Sequence, residues 1–380
     1  MKKVAVVGVA QTKHGENLQQ TVRELIYDVT VEILAKTNLT KDDVDTVVAS
    51  TSDYWQGMGC SNVFHYDAAA GYLKDSTKAE EDGALGFMYA YMRVLSGHFD
   101  TALAISDIKN SDISTISTLN NLYCDPFYQR PIGLEDISSA ATQATLYMHR
   151  HEVTEEQAAK VSVKSLRNAF YNPYAHKRAR ITIDDVLKSR IVSYPLKELD
   201  CCPASDGACA VLLASEDKAK KITDNPAWIK GVGWSVEPYF LGDRDLIDVE
   251  ALKVAARKAY NMTGIKDPRK QIDVAEICAP YSFQELLWYE HLGLCGSGEG
   301  GKLMDAKVTE MSGALPVNPS GGMLSTNPYT ARGVICIAEA ALQVMGKAGE
   351  HQVPNVKTAL AHSMHGLAGQ LHSVIILSSD

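Results

Sequence analysis

The sequence predicts an α/β protein made of two copies of one unit, with a different stretch inserted into the first copy. Two segments carry that reading. TVRELIYDVTVEILAKTNLTKDDVDTVVASTSDY (21–54) and VEALKVAARKAYNMTGIKDPRKQIDVAEICAPYS (249–282) follow one order of elements. Each has an amphipathic helix with apolar residues three and four apart, a break at Asn-Leu or Thr-Gly, and a charged turn. Each then has a short Val/Ile-rich strand after Val-Asp or Ile-Asp. The offset between copies is about 225 residues. Helices alternating with strands at this spacing argue for α/β layers.

In chain order, KVAVVGVAQT (3–12) reads as the first strand and the helix of 21–54 follows it. Ala84–Leu95 has one charge in twelve residues and reads as a buried helix, with TALAIS (101–106) as the strand after it. The stretch 115–200 has helices with start signals of their own. Thr154-x-x-Gln157 is a capping box and Thr182-x-x-Asp185 resembles one. The second copy repeats the order with AWIKGVGWSV (227–236), the 249–282 unit, GVICIAEAALQVM (333–345) and TALAHS (358–363). The halves are therefore 1–220, carrying the insertion at about 115–200, and 221–380. The repeat and the apolarity of Ala84–Leu95 and Gly333–Met345 predict that these two helices pack together at the centre.

Composition narrows the function. The chain has 380 residues, 46% of them apolar and 22% charged, as in ordinary globular proteins. A net charge of -9 without a long basic run argues against nucleic-acid binding. The eight cysteines are scattered, with no C-x-x-C pair and no Cys/His cluster at metal spacing, so no metal site is expected. Free thiols fit a reducing cytoplasm. The first apolar run is about eight residues long and ends in Gln-Thr-Lys, which suits a strand better than a signal peptide. No stretch is long enough for a membrane span, so no membrane association is expected.

TKAEEDGALGFMYAYMRVLSG (77–97) raises a chemical question, because Glu80, Glu81 and Asp82 stand at the mouth of an apolar helix. Carboxylates are favoured at a helix N-terminus by its unpaired N–H groups and macrodipole, which accounts for one or two of them.

Three strings then resemble the thiolase superfamily, in its sterol-carrier-protein-x and archaeal branch. They are PLKELDCCPASDGACAVLLAS (195–215), ELLWYEHLGLCGSGEGG (285–301) and LPVNPSGGMLSTNP (315–328). The resemblance implies a duplicated thiolase-like αβαβα five-layer core with an inserted loop domain. It implies an acyltransferase of 3-oxoacyl-CoA thiolase type that cleaves or forms a C–C bond on a CoA thioester. Coenzyme A is then a (co)substrate, and no cofactor is held permanently. A homodimer is implied, with a small zinc-ribbon/OB-fold partner protein. The alternatives are a catalytically silent subunit supporting an active thiolase paralogue, and a thiolase-like retro-aldolase.

The family's active-site positions are altered. Counting back from Gly83, Glu80 holds the place of the nucleophilic cysteine, and a slip of one residue moves that place to Glu81. Asn327 holds the place of the activating histidine. Cys278-Ala279-Pro280-Tyr281 replaces the motif that holds a catalytic water. His365 is nearest to the second catalytic cysteine. Glu80 is read as a general base, with nucleophile and helix-end acid as alternatives. His365 is read as a proton carrier or a satisfied polar residue. Asn327 offers a hydrogen bond to an oxyanion. Cys60 and Cys278 are alternative thiols, against the plain reading of buried cysteine as a small hydrophobe. Lys177, Arg178 and Arg180 are candidates for the CoA phosphates, and Ser320 and Gly321 lie in a turn expected near CoA. The abundance of Tyr, with Tyr281 in a motif region, suggests a bulky or aromatic acyl group.

Overall fold

A computed structural model describes residues 3–80 and 82–380; the alternative place at Glu81 lies outside them. The first half supplies β1 (Val4–Gln11), β2 (Thr46–Thr51), β3 (Asp75–Glu80) and β4 (Thr101–Ile108). A small hairpin, β5 (Ile191–Ser193) and β6 (Leu196–Lys197), precedes β7 (Gly207–Ser215). The second half supplies β8 (Ala227–Val236), β9 (Val274–Ile277), β10 (Thr358–His365) and β11 (Leu371–Ser378). Nine strands form one sheet in the order β3-β2-β4-β7-β1-β8-β11-β10-β9. The halves meet at a short antiparallel seam, Ala5↔Trp228 and Val6↔Ala227.

The strands are apolar runs because both faces are covered. Val4 and Val6 of β1 face the core that holds Phe87 and Met88, whereas Ala5 and Val7 face Leu25, Val29 and Ile33 of the helix Val22–Thr37. The same alternation separates Ala102 and Ala104 from Leu103 and Ile105 in β4. Gly83–Ser96 and Arg332–Met345 form the inner helical layer, so the fold is the five-layer α/β architecture that the sequence predicts. Among the described residues, no helix is long and apolar enough to cross a membrane.

The two central helices differ in burial. Arg332–Met345 is buried on nearly every side. The first helix departs from the expectation drawn from its apolarity, since Tyr89 is 50% and Met92 40% exposed. It lies at the side of the layer, with one face uncovered. Between β4 and β7 the chain builds the helices Asp136–His151, Glu155–Asn168 and Ile183–Lys188. The boxes at Thr154/Gln157 and Thr182/Asp185 both close.

Two glycines let the central helices touch. A Cβ on Gly83 would stand 2.8 Å from Val334 N, and one on Gly333 would stand 2.3 Å from Asp82 Oδ1 and 2.6 Å from Ala84 N. The neighbours are largely backbone and cannot yield cheaply. Gly333→Ala is therefore expected to destabilise by about 1–3 kcal/mol, despite the better helix propensity of alanine. Gly59→Ala, which meets nothing within 4 Å, should stay within about 0.5 kcal/mol of the parent. Urea unfolding midpoints of the two variants check this.

Candidate functional site

A cavity of about 230 Å³ lies beside the segment that leads into the second central helix, with Asn327 and Tyr329 in its wall. Each part of the chain contributes one wall. Tyr281 comes from the end of β9, Asn327 and Tyr329 from the segment before the second central helix, Cys201 and Cys202 from before β7, and Asp136 from the inserted stretch. Tyr281 OH donates to Asp136 Oδ2 at 3.0 Å. Behind them the Arg332 guanidinium lies 3.8 Å from the centre of the Tyr329 ring. Burial works against the Arg332 charge, but Tyr329, Cys278, Asp136 and Cys202 outweigh it and hold the group protonated.

The carboxyls here are tuned by competing effects. Burial raises Asp136, while Arg332 and the Tyr281 hydroxyl pull it back toward ionisation. Burial and the neighbouring Asp136 push Tyr281 well above the ordinary phenol range. Asp82 caps the first central helix. Its Oδ1 accepts from Ala84 N at 3.2 Å and from Ser363 Oγ at 3.0 Å, while Oδ2 has no partner. Burial raises Asp82 too, against His365, the Ala84 amide, Ser363 and Arg332.

The sequence-derived candidates fall into two groups. Tyr281 and Asn327 line the cavity, and Asn327 Nδ2 donates to Cys202 Sγ at 3.2 Å. His365 ends β10 and meets the Tyr329 ring edge-on at 5.5 Å between centroids. Cys278 is buried beside Arg332 and hydrogen-bonds the Cys336 thiol. Burial opposes the Cys278 thiolate, but Cys336 and Arg332 prevail and lower the thiol.

The other candidates lie outside the cavity. Glu80 is the last residue of β3, with a side chain 45% exposed. It pairs with Lys78 at 2.8 Å and accepts from Asp53 N at 3.0 Å. The buried carboxylate at the helix mouth is Asp82, two residues further on, because β3 runs through Glu80 before the chain turns inward. Cys60 sits on an exposed loop. Arg178 donates to Asn172 O and Pro173 O, both at 2.8 Å, Arg180 stacks on Phe170, and the Lys177 amide is tied to Ser325 O. The two arginines hold the chain's own backbone and ring, and none of the three cations lines the cavity.

Ser320 and Gly321 belong to a buried turn. Its strand partner is Ala275, in a parallel bridge to Val317, the reduced counterpart of the β2–β3 pairing. Gly321 has φ 98°, where an added Cβ would also stand 2.9 Å from Ala169 Cβ. Ser320 N and Oγ both donate to Glu276, at 3.1 and 2.7 Å. Asn318 Nδ2 donates to Glu285 at 2.6 Å, and Lys164 closes that fully buried group. So the turn rests on two buried acids and carries Asn327 and Tyr329 to the cavity.

Asp136 and Arg332 were not singled out from sequence. Arg332 did leave a trace: it is a lone cation at the mouth of an otherwise apolar helix. Asp136 left none, since an acid in the first turn of an inserted helix is ordinary. Among the described residues no cluster of three or more His, Cys, Asp or Glu is placed to hold a metal.

This two-fold α/β core, with its two central helices packed at their N-termini, defines a thiolase-type fold. The C-terminal part, residues 235–379, matches the family described as thiolase C-terminal domain-like. The chain is 31% identical to acetyl-CoA acetyltransferase of Methanothermobacter thermautotrophicus, over 97% of this chain and 98% of that one. It is 30% identical to benzoylsuccinyl-CoA thiolase subunit BbsB of Thauera aromatica, over 96% and 95%. Two solved structures share the fold. The Ltp2-ChsH2(DUF35) aldolase has a TM-score of 0.84 at 24% identity, covering 100% of this chain and 98% of that one. Human mitochondrial 3-ketoacyl-CoA thiolase has a TM-score of 0.75 at 17% identity, covering 100% and 99%. The chain belongs to the thiolase superfamily, with carbon–carbon chemistry beside a CoA thioester as its general reaction.

The acids beneath the turn make stability pH-dependent. Burial and Glu339 raise Glu276 to about 8. His351 loses by burial, but its 2.8 Å contact with Glu339 brings it to about 9. Both groups hold protons more tightly folded than unfolded. Their contribution is therefore full at low pH and lost as pH rises, between about 4.5 and 8 for Glu276 and between about 6.5 and 9 for His351. Thermal midpoints should fall from pH 6.5 to 9. Glu276→Gln mimics the protonated acid and keeps both bonds to Ser320, so the fall between pH 5.5 and 8 should be shallower in the variant.

Proposed function

We propose that this chain breaks or forms the C–C bond of a 3-hydroxyacyl-CoA by an aldol-type reaction that passes through no acyl-cysteine. The Tyr281–Asp136 hydrogen bond, in the field of Arg332, carries this reading. The thiols facing the cavity are poor nucleophiles: burial pushes Cys202 up to about 12 and Cys201 higher still. At the position that the family's motif gives to the cysteine stands Glu80, and the described mouth of the first central helix is capped by Asp82.

Tyr281 passes its proton to Asp136 and takes the proton of the substrate's β-hydroxyl. The Cα–Cβ bond breaks, its electron pair moves into the thioester enolate, and the β-carbon becomes a carbonyl. The same Tyr281–Asp136 pair returns the proton to Cα. Arg332 opposes the rise that burial imposes on Asp136 and so favours the ionised form that accepts in the first step. Asn327 lines the cavity, and its side-chain amide N–H, now donated to Cys202 Sγ, is the donor for the enolate oxygen. The reverse sequence joins an acyl-CoA to an aldehyde or ketone.

Coenzyme A is the carrier of the substrate and no resident cofactor is needed. The chain works in the cytoplasm as a homodimer with a small zinc-ribbon/OB-fold protein. A relative named as a subunit and a neighbour paired with a DUF35 protein support a partner. A thiolase paralogue is the other candidate. It would be favoured if the chain is inert alone and active only with that second protein.

Tyr281→Phe and Asp136→Asn should each lower turnover of a 3-hydroxyacyl-CoA by about 10²–10⁴. Glu80→Gln should keep half or more of it, because its carboxylate is spent on Lys78 and Asp53. Intact-mass measurement after incubation with acyl-CoA should show no added acyl group. An acyl adduct mapped to any cysteine overturns the reading.

A further inference from the structure

Trp55 stands between two cavities. On one side is the catalytic cavity of about 230 Å³. On the other is a more open chamber of about 410 Å³, bordered by Tyr54, Lys109, Ile113, Thr118 and Leu119. Among the described residues bordering them, Trp55 alone borders both. The short helix Ile116–Leu122 completes the partition, turning Ile116 and Asn120 to the catalytic side and Thr118 and Leu119 to the other.

The indole is fixed from two directions. It stacks on Tyr329 with centroids 4.3 Å apart, and Nε1–H donates to Tyr123 OH at 2.6 Å. Tyr123 and Tyr329 each pack edge-on against His365. Trp55 is 3% exposed, so the partition is a packed wall and not a loose flap. Its cavity has room for roughly eight water-sized groups. That suits a thioester and one planar ring lying on the aromatic faces, or a short chain, and excludes fused rings.

We infer that Trp55 sets the size of the acyl group: the wild-type chain takes CoA esters bearing a single ring or a short chain, and the chamber behind Trp55 is excluded from the substrate site by that one side chain. The inference rests on the catalytic cavity proposed above. Three unreactive CoA thioethers test it by calorimetry, carrying an ethyl, a benzyl or a naphthylmethyl group. Wild-type protein should bind the ethyl and benzyl compounds, and the naphthylmethyl compound at least tenfold more weakly than the benzyl. Trp55→Ala should erase that gap by opening the chamber, and Trp55→Phe, which keeps a ring against Tyr329, should narrow it by about threefold. Thr118→Phe added to Trp55→Ala refills the chamber and should restore the discrimination.

If folded Trp55→Ala, checked by circular dichroism, binds with the wild-type ratio, the inference fails while the cavity assignment stands. Should that variant not fold, an unchanged ratio in Trp55→Phe is decisive in the same sense. If none of the three compounds binds the wild-type chain, the cavity assignment fails and the inference falls with it.

Discussion

The site depends on one buried charge. A guanidinium taken out of water costs several kcal/mol unless it is paired and stacked. Arg332 is 2% exposed and meets that cost with a tyrosine face and nearby carboxyls. Asp82 comes from the first half, Asp136 from the inserted stretch, and Arg332 with Tyr329 from the second half. The electrostatic demand of one side chain thus ties three remote parts of the sequence to one point. Arg332 also opposes the burial that raises Asp136, so the charge that organises the site and the proposed proton transfer are electrostatically coupled.

Around that charge, the backbone leaves little freedom. Gly83 and Gly333 bring the central helices into backbone contact, and this contact puts the Asp82 cap beside the start of the second helix. The turn 318–322 is held by Glu276 and Glu285, each buried and each satisfied by named donors. A turn anchored by two acids places Asn327 and Tyr329 without relying on a bound ligand. Trp55 and Tyr329 then wall the cavity, with Tyr123 and His365 packed against them.

Much of the fold was legible because its causes are local or periodic. The helix–strand order in 21–54 recurs in 249–282 and yields matching elements, Val22–Thr37 with β2 and Glu250–Thr263 with β9. Capping boxes at Thr154 and Thr182 act within four residues and can be read directly. The burial of Gly83–Ser96 was overestimated, since apolarity shows what a face tolerates and not whether a neighbour covers it. Tyr89 and Met92 lie on the uncovered side.

The active centre was legible only in part, for a reason of register. Three acids in a row mark the helix mouth, but a strand sends successive side chains to opposite sides, so one residue decides between solvent and core. Glu80 falls on the outside with Lys78, and Asp82 falls inside as the cap. Likewise the cations 177–180 carry the charge that phosphates would want, yet Arg178 and Arg180 bind the chain's own carbonyls and ring. Sequence by itself determined the duplicated α/β plan and the superfamily, because repeats, periodicity and residue identity are properties of the chain. Which carboxylates feel the Arg332 charge, and that Tyr281 meets Asp136 across 145 positions, only the tertiary structure decided. Those contacts arise from packing between distant segments, which no local pattern encodes.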